Sequence, residues 1–320
     1  MTMKKLIYLI SVTFLILQSC SSGDGSTGAD NSNSIEITTG DVTQINGWGA
    51  VSSGVIGSDG GNSITAKGIV WSTEPNPTVS LDTKTNEGPG ASNFTSNITR
   101  LSPATNYYYR AYATNSFGSF YGNTFYFTTS EVSLQQRLDH GETPYQIYLS
   151  DNSLLRNLYG LTYQGGLIVY LNTTNGKGIL AAPSDQGIAT WGCIGIYNSI
   201  ASDVSIGSGL ANTIAIINNC DGNIAARICY NLNLNGYDDW YLPSKDELNL
   251  LYTNLHRNGF GNFNTNSVLS YGYKGMYWSS TDGAQDGKAA WMQFFIEGWQ
   301  YTYDMGYKTN QLLIRAVRSF

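Results

Sequence analysis

From Ile35 to Thr129 the chain runs in short alternating segments, each broken by turn residues, and that rhythm suits strands rather than helices. The segments are Gly68 to Ser72, Asn93 to Ile98, Tyr107 to Thr114 and Asn123 to Thr128, with Glu74-Pro-Asn-Pro77 after the first. Spacing of this kind predicts an all-β sandwich over residues 35–129.

A different logic governs the first residues. Lys4 and Lys5 precede an apolar run from Leu6 to Leu17, followed by Leu17-Gln-Ser-Cys20. The run holds twelve residues, whereas a membrane span needs about 20. Residues 1–19 therefore read as a signal peptide ending in a lipobox, with Cys20 as the lipidation site. Residues 20–34 are a polar, Gly/Ser-rich tether. A diacylated cysteine with an added N-acyl chain exceeds the two-chain requirement for stable anchoring. The expectation is an outer-membrane lipoprotein facing the cell surface, with a periplasm-facing orientation as the alternative.

Charge limits the partners. Removing residues 1–19 takes away two lysines and no acids, leaving 15 basic against 23 acidic side chains, a balance of −8. Nucleic acid is excluded as a partner class on that balance, and the membrane is approached through the lipid only. Low charge (12%), 36 glycines and 23 tyrosines suit a β-rich extracytoplasmic protein. Besides Cys20 there are Cys193, Cys220 and Cys229. In a compartment that permits disulfides, one bridge and one buried thiol is the expected count, with the pairing left open. A zinc site would need a fourth ligand, and only His140 and His256 are available.

Residues 130–159 look like a connector with one short helical stretch near Val132 to Leu138. Beyond them, Gly165 to Leu171 and Gly178 to Ala182 read as strands. Leu210, Ile214 and Ile217 recur at i, i+4, i+7, and Ile224, Ile228 and Leu232 at i, i+4, i+8, predicting two helices that each bury one face. Ser244 and Glu247 form a capping box ahead of a stripe of Leu248, Leu251, Tyr252 and Leu255, with His256 and Arg257 at the end of that helix. Strands return at Met276 to Ser279, Ala290 to Ile296, Trp299 to Tyr303 and Leu312 to Arg318, with a tight hairpin at Glu297-Gly298. Residues 160–320 are thus expected to form an α+β domain.

Two resemblances refine this multidomain picture. Leu101-Ser-Pro-Ala-Thr-Asn-Tyr107, followed by Tyr108-Tyr-Arg-Ala-Tyr112, resembles a fibronectin type III module over about 90 residues. The resemblance implies that Tyr107 is a corner tyrosine whose hydroxyl bonds back to the backbone, and that Trp71, Tyr109 and Ala111 point into the core. Farther on, Gly165-Gly-Leu-Ile, Ala182-Pro-Ser-Asp-Gln186, Thr190-Trp-Gly-Cys193, Asn235-Gly-Tyr-Asp-Asp-Trp240, Leu242-Pro-Ser-Lys-Asp-Glu-Leu248, Tyr277-Trp-Ser-Ser-Thr281 and Ile314-Arg-Ala-Val-Arg-Ser-Phe320 occur in order. Together they resemble the C-terminal domain of the Lcl collagen-like adhesins. That implies a C-type-lectin-like fold in which the two ends of the domain pair in one sheet, and a role in binding glycans. The acidic balance argues against sulfated polyanions. Glu74-Pro75-Asn76 has the letters of a C-type lectin ligand tripeptide but lies in the other domain, where proline in a turn explains it.

Chemistry is harder to find. A remote relation to formylglycine-generating oxidases would need a close cysteine pair, and Cys220 and Cys229 lie on or beside buried helical faces. No Gly-x-Ser-x-Gly elbow accompanies His140 or His256. Asn231, Asn233, Asn235 and Gly236 echo half a calcium loop, but the twelfth position is Leu242 rather than glutamate. The expectation is a non-enzyme with no cofactor and no metal.

The positive candidate is Trp299-Gln-Tyr-Thr-Tyr-Asp304, where a period of two puts Trp299, Tyr301 and Tyr303 on one face and Tyr307 follows a turn. Tyr and Trp give stiff, amphipathic contact area, and flat rings stack on sugars. The candidate ligand-binding residues are Met292, Phe294, Glu297, Trp299, Tyr301, Tyr303, Asp304 and Tyr307. Similar domains resemble targets of diversity-generating retroelements. In that reading Trp291, Gln293, Phe295, Gly298, Gln300, Lys308 and Arg315 to Arg318 are a fixed frame, and the candidate residues together with Gly306 vary. Trp278 and Trp291 are assigned to the core. The expected function is adhesion or ligand binding, with a glycan or protein on another cell or surface as partner. A structural surface-assembly component whose aromatic face is a subunit interface is the alternative.

Overall fold

The structure is a computed structural model that describes residues 33–266, 272, 274–283 and 286–320. The signal peptide, Cys20 and most of the tether lie outside the described residues. The chain divides after Glu131 into two compact units. No helix among the described residues is long and apolar enough to cross a membrane.

The first unit is a β-sandwich. One sheet joins β1 (Glu36–Thr39), β2 (Ala50–Ser58) and β4 (Phe94–Ile98). The other is built on β5 (Asn106–Asn115), which pairs with β3 (Ala66–Ser72) along one edge and with β6 (Gly118–Tyr121) and β7 (Phe125–Thr128) along the other. Alternation decides which side chains enter the core. Ile69 and Trp71 of β3 and Tyr107, Tyr109 and Ala111 of β5 are all buried there with Phe94, Ile98 and Phe127. The Tyr107 hydroxyl accepts a hydrogen bond from the Ser102 backbone N–H at 3.0 Å, the corner contact that the sequence predicts. Gly54 faces Phe94 in register, and its missing side chain is the space the phenyl ring occupies.

The second unit holds α1 (Leu134–Asp139), α2 (Pro144–Ser150), α3 (Leu155–Leu158), β8 (Thr162–Tyr163), β9 (Gly166–Leu171), β10 (Gly178–Ala181) and β11 (Ile188–Ala189). These are followed by α4 (Gly209–Asn219), α5 (Ala225–Tyr230), α6 (Lys245–Leu250) and strands β12 (Met276–Asp282), β13 (Ala290–Phe294), β14 (Gln300–Tyr301), β15 (Leu312–Leu313) and β16 (Val317–Ser319). One sheet has the order β16-β10-β9-β8, so the last strand pairs with an early one. The other has the order β11-β15-β12-β13-β14, antiparallel except for the β12–β15 pair.

The connector expected over residues 130–159 is instead part of this unit. Ser133 and Thr143 each cap a helix through a full capping box with Gln136 and Gln146. Leu138, Ile147 and Leu158 from these helices cover Ile168, Leu171 and Leu180, while Val169, Ile179 and Ala181 point into the main core. Both faces of the β9–β10 pair are apolar, so a second layer is required to keep water off one of them.

The main core is anchored by three fully buried tryptophans whose indole N–H groups are all satisfied: Trp191 by Ser279 O, Trp278 by Ala189 O and Trp240 by Tyr237 O. Cys193 and Cys220 form a disulfide with Cα atoms 5.1 Å apart, and Cys229 is a buried free thiol.

One helix is turned differently from its apolar stripe. On α4 the buried face carries Asn212, Thr213, Ala215 and Ile216, whereas Leu210 and Ile214 are exposed. The polar pair is bonded inside: Asn212 Nδ2 donates to Asp203 O at 2.7 Å while its Oδ1 has no partner among the described residues, and the Thr213 hydroxyl bonds the Leu242 backbone on both its N–H and its carbonyl. These bonds to distant backbone outweigh the burial of two aliphatic side chains.

Candidate ligand-binding face

The hairpin of β13 and β14 is closed by two backbone bonds, Phe294 N–H to Trp299 O and Gly298 N–H to Phe294 O. Gly298 has φ +88°, and any Cβ there would collide with the Tyr252 ring, so only glycine fits this corner. Below the hairpin lies a partly buried polar brace centred on the buried Gln293. Gln293 Nε2 donates to Asn249 Oδ1 at 2.9 Å and to Gly298 O at 3.1 Å, and Gln300 Nε2 donates to Lys245 O at 2.8 Å. A little farther along, Lys308 Nζ lies 2.8 Å from Asp282 Oδ2 and donates to Ile196 O at 2.8 Å. Arg315 pairs with Asp185, and Arg318 pairs with Asp239 in a two-point contact.

Four of the candidate residues emerge from this frame together. Trp299 is 60% exposed, Tyr301 42%, Tyr303 61% and Tyr307 36%. Trp299 and Tyr301 meet edge to face with ring centroids 6.3 Å apart. Glu297 is exposed beside them at the hairpin turn. Asp304 opens a short turn, Asp304–Gly306, of which only the backbone is described at that residue.

Met292 does not belong to this face. It is 1% exposed, because β13 lies between β12 and β14 and turns that side chain into the main core. Phe294 is half-buried against the same core. Gly306 is buried, with Ala290 O against its α-carbon. Trp291, assigned to the core from sequence, is instead half-buried with Lys245 Nζ 4.0 Å from its ring centroid.

Residues considered for chemistry have structural partners. His256 is packed among Tyr252, Phe263 and Phe295, with burial holding its imidazole below the ordinary value. Cys220 is consumed by Cys193, and burial pushes the Cys229 thiol above the usual range. Asn235 and Gly236, both at positive φ, make the tight turn between Leu234 and Tyr237, and Asn235 Nδ2 donates to Gly165 O. Glu247 is committed to its capping box and also accepts from Gly207 N–H at 2.8 Å.

A second exposed set was not anticipated. Ile194, Ile196, Tyr197, Ile200, Val204 and Ile206 project from the segment between Cys193 and α4, next to the outward Leu210 and Ile214. This segment is held by the disulfide, by Asn198 N–H on Asp282 Oδ2 and by Asn198 Nδ2 on Ala215 O. Its only ionisable side chain of acid or base type is Asp203, which is engaged by Ser205.

Residues 207–318 match the family model of the Lcl C-terminal domain, about a third of the chain. No curated protein matches the chain. Among solved structures, the sensor domain of the anti-sigma factor RsgI4 in Pseudobacteroides cellulosolvens is 17% identical, with 31% of this chain and 96% of that one covered and a TM-score of 0.25. The sixth fibronectin type III domain from human fibronectin type III domain containing protein 3 is 22% identical, covering 34% of this chain and 93% of that one, with a TM-score of 0.24. The fourth fibronectin type III domain of a human protein is 16% identical, covering 34% of this chain and 92% of that one, with a TM-score of 0.25.

Proposed function

We propose that this is a non-catalytic ligand-binding lipoprotein of the cell envelope, anchored through Cys20, in which a fibronectin type III-like sandwich carries a C-type-lectin-like head. The observation that carries this reading is the exposure of Trp299, Tyr301, Tyr303 and Tyr307 within one short stretch, with Trp299 and Tyr301 meeting edge to face on a hairpin braced from beneath by hydrogen bonds of Gln293 and Gln300. Aromatic side chains normally bury their large area, and a rigid frame that holds several of them in water pre-organises a contact surface. The ligand is a glycan or a protein on another cell or surface. The partition of the C-terminal region also favours retroelement diversification: the frame positions Gln293, Phe295, Lys308 and Arg315 are fully buried, while most of the intervening candidates face solvent.

Glycan-array and pull-down assays with the chain, repeated with Trp299→Ala and Tyr301→Ala, test this function. Loss of the same ligand in both variants supports it, and retention of every ligand by both variants ends it. Protease shaving of intact cells tests the outward orientation, since a protected head is incompatible with adhesion.

In the assembly alternative the aromatic face is the expected subunit interface; the aliphatic surface around Ile194 to Ile214 offers a second one. On a processed chain with 15 basic against 23 acidic side chains, a face with a single engaged carboxylate is where a second copy can approach without like-charge repulsion. Concentration-dependent dimerisation that Ile200→Asp abolishes, with no ligand found for the aromatic face, would favour that reading.

A further inference from the structure

A cleft of about 520 Å³ opens in the second unit where α3 meets the end of the helix that begins with α6. Two of its lining residues are arginines, Arg156 and Arg257. The second unit contains six arginines, and the other four are occupied. Arg137 pairs with Glu142, Arg315 with Asp185 and Arg318 with Asp239. Arg227 donates to the carbonyls of Ile217 and Cys220. Arg156 and Arg257 are both exposed, and among the described residues neither has a carboxylate partner. They come from positions a hundred residues apart, yet line one cleft that no acidic side chain lines. Two exposed guanidiniums on one cleft, with no carboxylate on its lining to cancel them, leave it a positive potential that suits an anion.

The rest of the cleft is built rather than incidental. After α6 the helix widens into a π turn, Leu251–Leu255, which places Thr253 and Asn254 at the wall. Such turns are rare and concentrate at functional sites. Asn258 Nδ2 ties the carbonyls of Thr253 and Asn254 at 3.1 Å each, and Asn254 Nδ2 donates to Val169 O at 2.9 Å. Phe260 seats its ring on Gly160, which has φ +83° and no Cβ to obstruct it. Tyr159 completes the lining, its phenol kept neutral by burial and therefore able to donate.

We infer that this cleft is a second binding site, separate from the aromatic face, for a saccharide that ends in a carboxylated sugar. Guanidinium forks match a carboxylate in geometry as well as charge. The amide, hydroxyl and phenol groups match sugar hydroxyls, and Phe260 offers a flat apolar face to the ring. The volume lies within the range of small-ligand sites, roughly 300–1,000 Å³. A single terminal carboxylate also avoids the repulsion that a long polyanion meets from a processed chain with 15 basic against 23 acidic side chains.

The test is calorimetric titration of residues 21–320 with sialyllactose, a glucuronate-terminated disaccharide, lactose and inorganic phosphate. The acidic saccharides bind and lactose does not. Arg156→Ala and Arg257→Ala each weaken binding at least tenfold, the corresponding lysine variants weaken it less, and Trp299→Ala leaves it unchanged. Equal affinity for lactose, no binding of either acidic saccharide, or indifference to both arginine variants overturns the proposal. Phosphate binding as tight as the acidic saccharides does so too, because it reduces the cleft to a general anion site. Unchanged circular dichroism spectra of the variants separate loss of the site from loss of the fold.

Discussion

Lys308 and Asp282 form an ion pair, Nζ to Oδ2 at 2.8 Å, in which neither side chain has any contact with solvent. The ammonium also donates to Ile196 O and lies 4.4 Å from the centroid of the Trp191 ring. The pair therefore links the aromatic hairpin region to the disulfide-bounded segment from inside the core. Removing one partner strands a charge in the interior, so Lys308→Met should cost about 3–5 kcal/mol in urea unfolding. Lys308→Met with Asp282→Leu should be less destabilised than Lys308→Met alone. A double variant as unstable as the single one would show that the pair is not what holds this region.

Glu247 gives a pH signature. Burial is the largest influence on its carboxyl and raises it above the ordinary 4.5, against the pull of N–H groups from Ser244, Gly207 and Gly209. Between 4.5 and that higher native value, the folded chain holds a proton that the unfolded chain has released. Stability contributed by this residue therefore falls as pH rises through that window. Unfolding free energies of wild type minus Glu247→Gln, measured in steps from pH 4 upward, should decline with pH. A flat difference would contradict the assignment.

The Cys193–Cys220 bridge spans 27 residues. Loop-closure entropy for that span gives a loss of about 3–4 kcal/mol on replacing both cysteines by serine. In the native protein a thiol reagent should find nothing to modify among these three cysteines, because Cys229 is buried with its thiol shifted upward. One thiol should appear on unfolding without reductant and three after reduction.

Gly298→Ala should break the hairpin corner, since the position combines positive φ with contact against Tyr252. The backbone conformation alone costs about 1–3 kcal/mol. Any ligand of the aromatic face should be lost along with it, whereas binding of acidic saccharides at the arginine cleft should persist.

Sequence carried some of this arrangement plainly and hid the rest for identifiable reasons. Tyr107 was readable because the corner is a local device, its hydroxyl reaching only to Ser102. The caps at Ser133 and Thr143 were equally local, each with glutamine three residues on, and taking residues 130–159 as a connector passed over a legible signal. The orientation of α4 was not legible, because the partners that draw Asn212 and Thr213 inward are Asp203 and Leu242, which no periodicity reports. Alternation placed Trp299, Tyr301 and Tyr303 outward, whereas Met292 entered the candidate set only through the resemblance to diversified domains, and its burial depends on having strands on both sides. The pairing of Arg156 with Arg257 in one cleft depends entirely on tertiary folding.

The edge position of β16 bears on how the head is made. Ile179 lies opposite Ser319 and Ala181 opposite Val317, and Gly178 and Phe320 exchange backbone hydrogen bonds. Until Val317 to Ser319 have left the ribosome, β10 has an open flank and the sheet that carries α1 to α3 cannot close. Heads cut short by a nonsense codon or a broken message would present that flank and their unsealed core to proteases. An edge strand only three residues long thus governs whether β10 is covered, and the resistance of this sheet to proteases rests on Val317 to Ser319 rather than on its central strands.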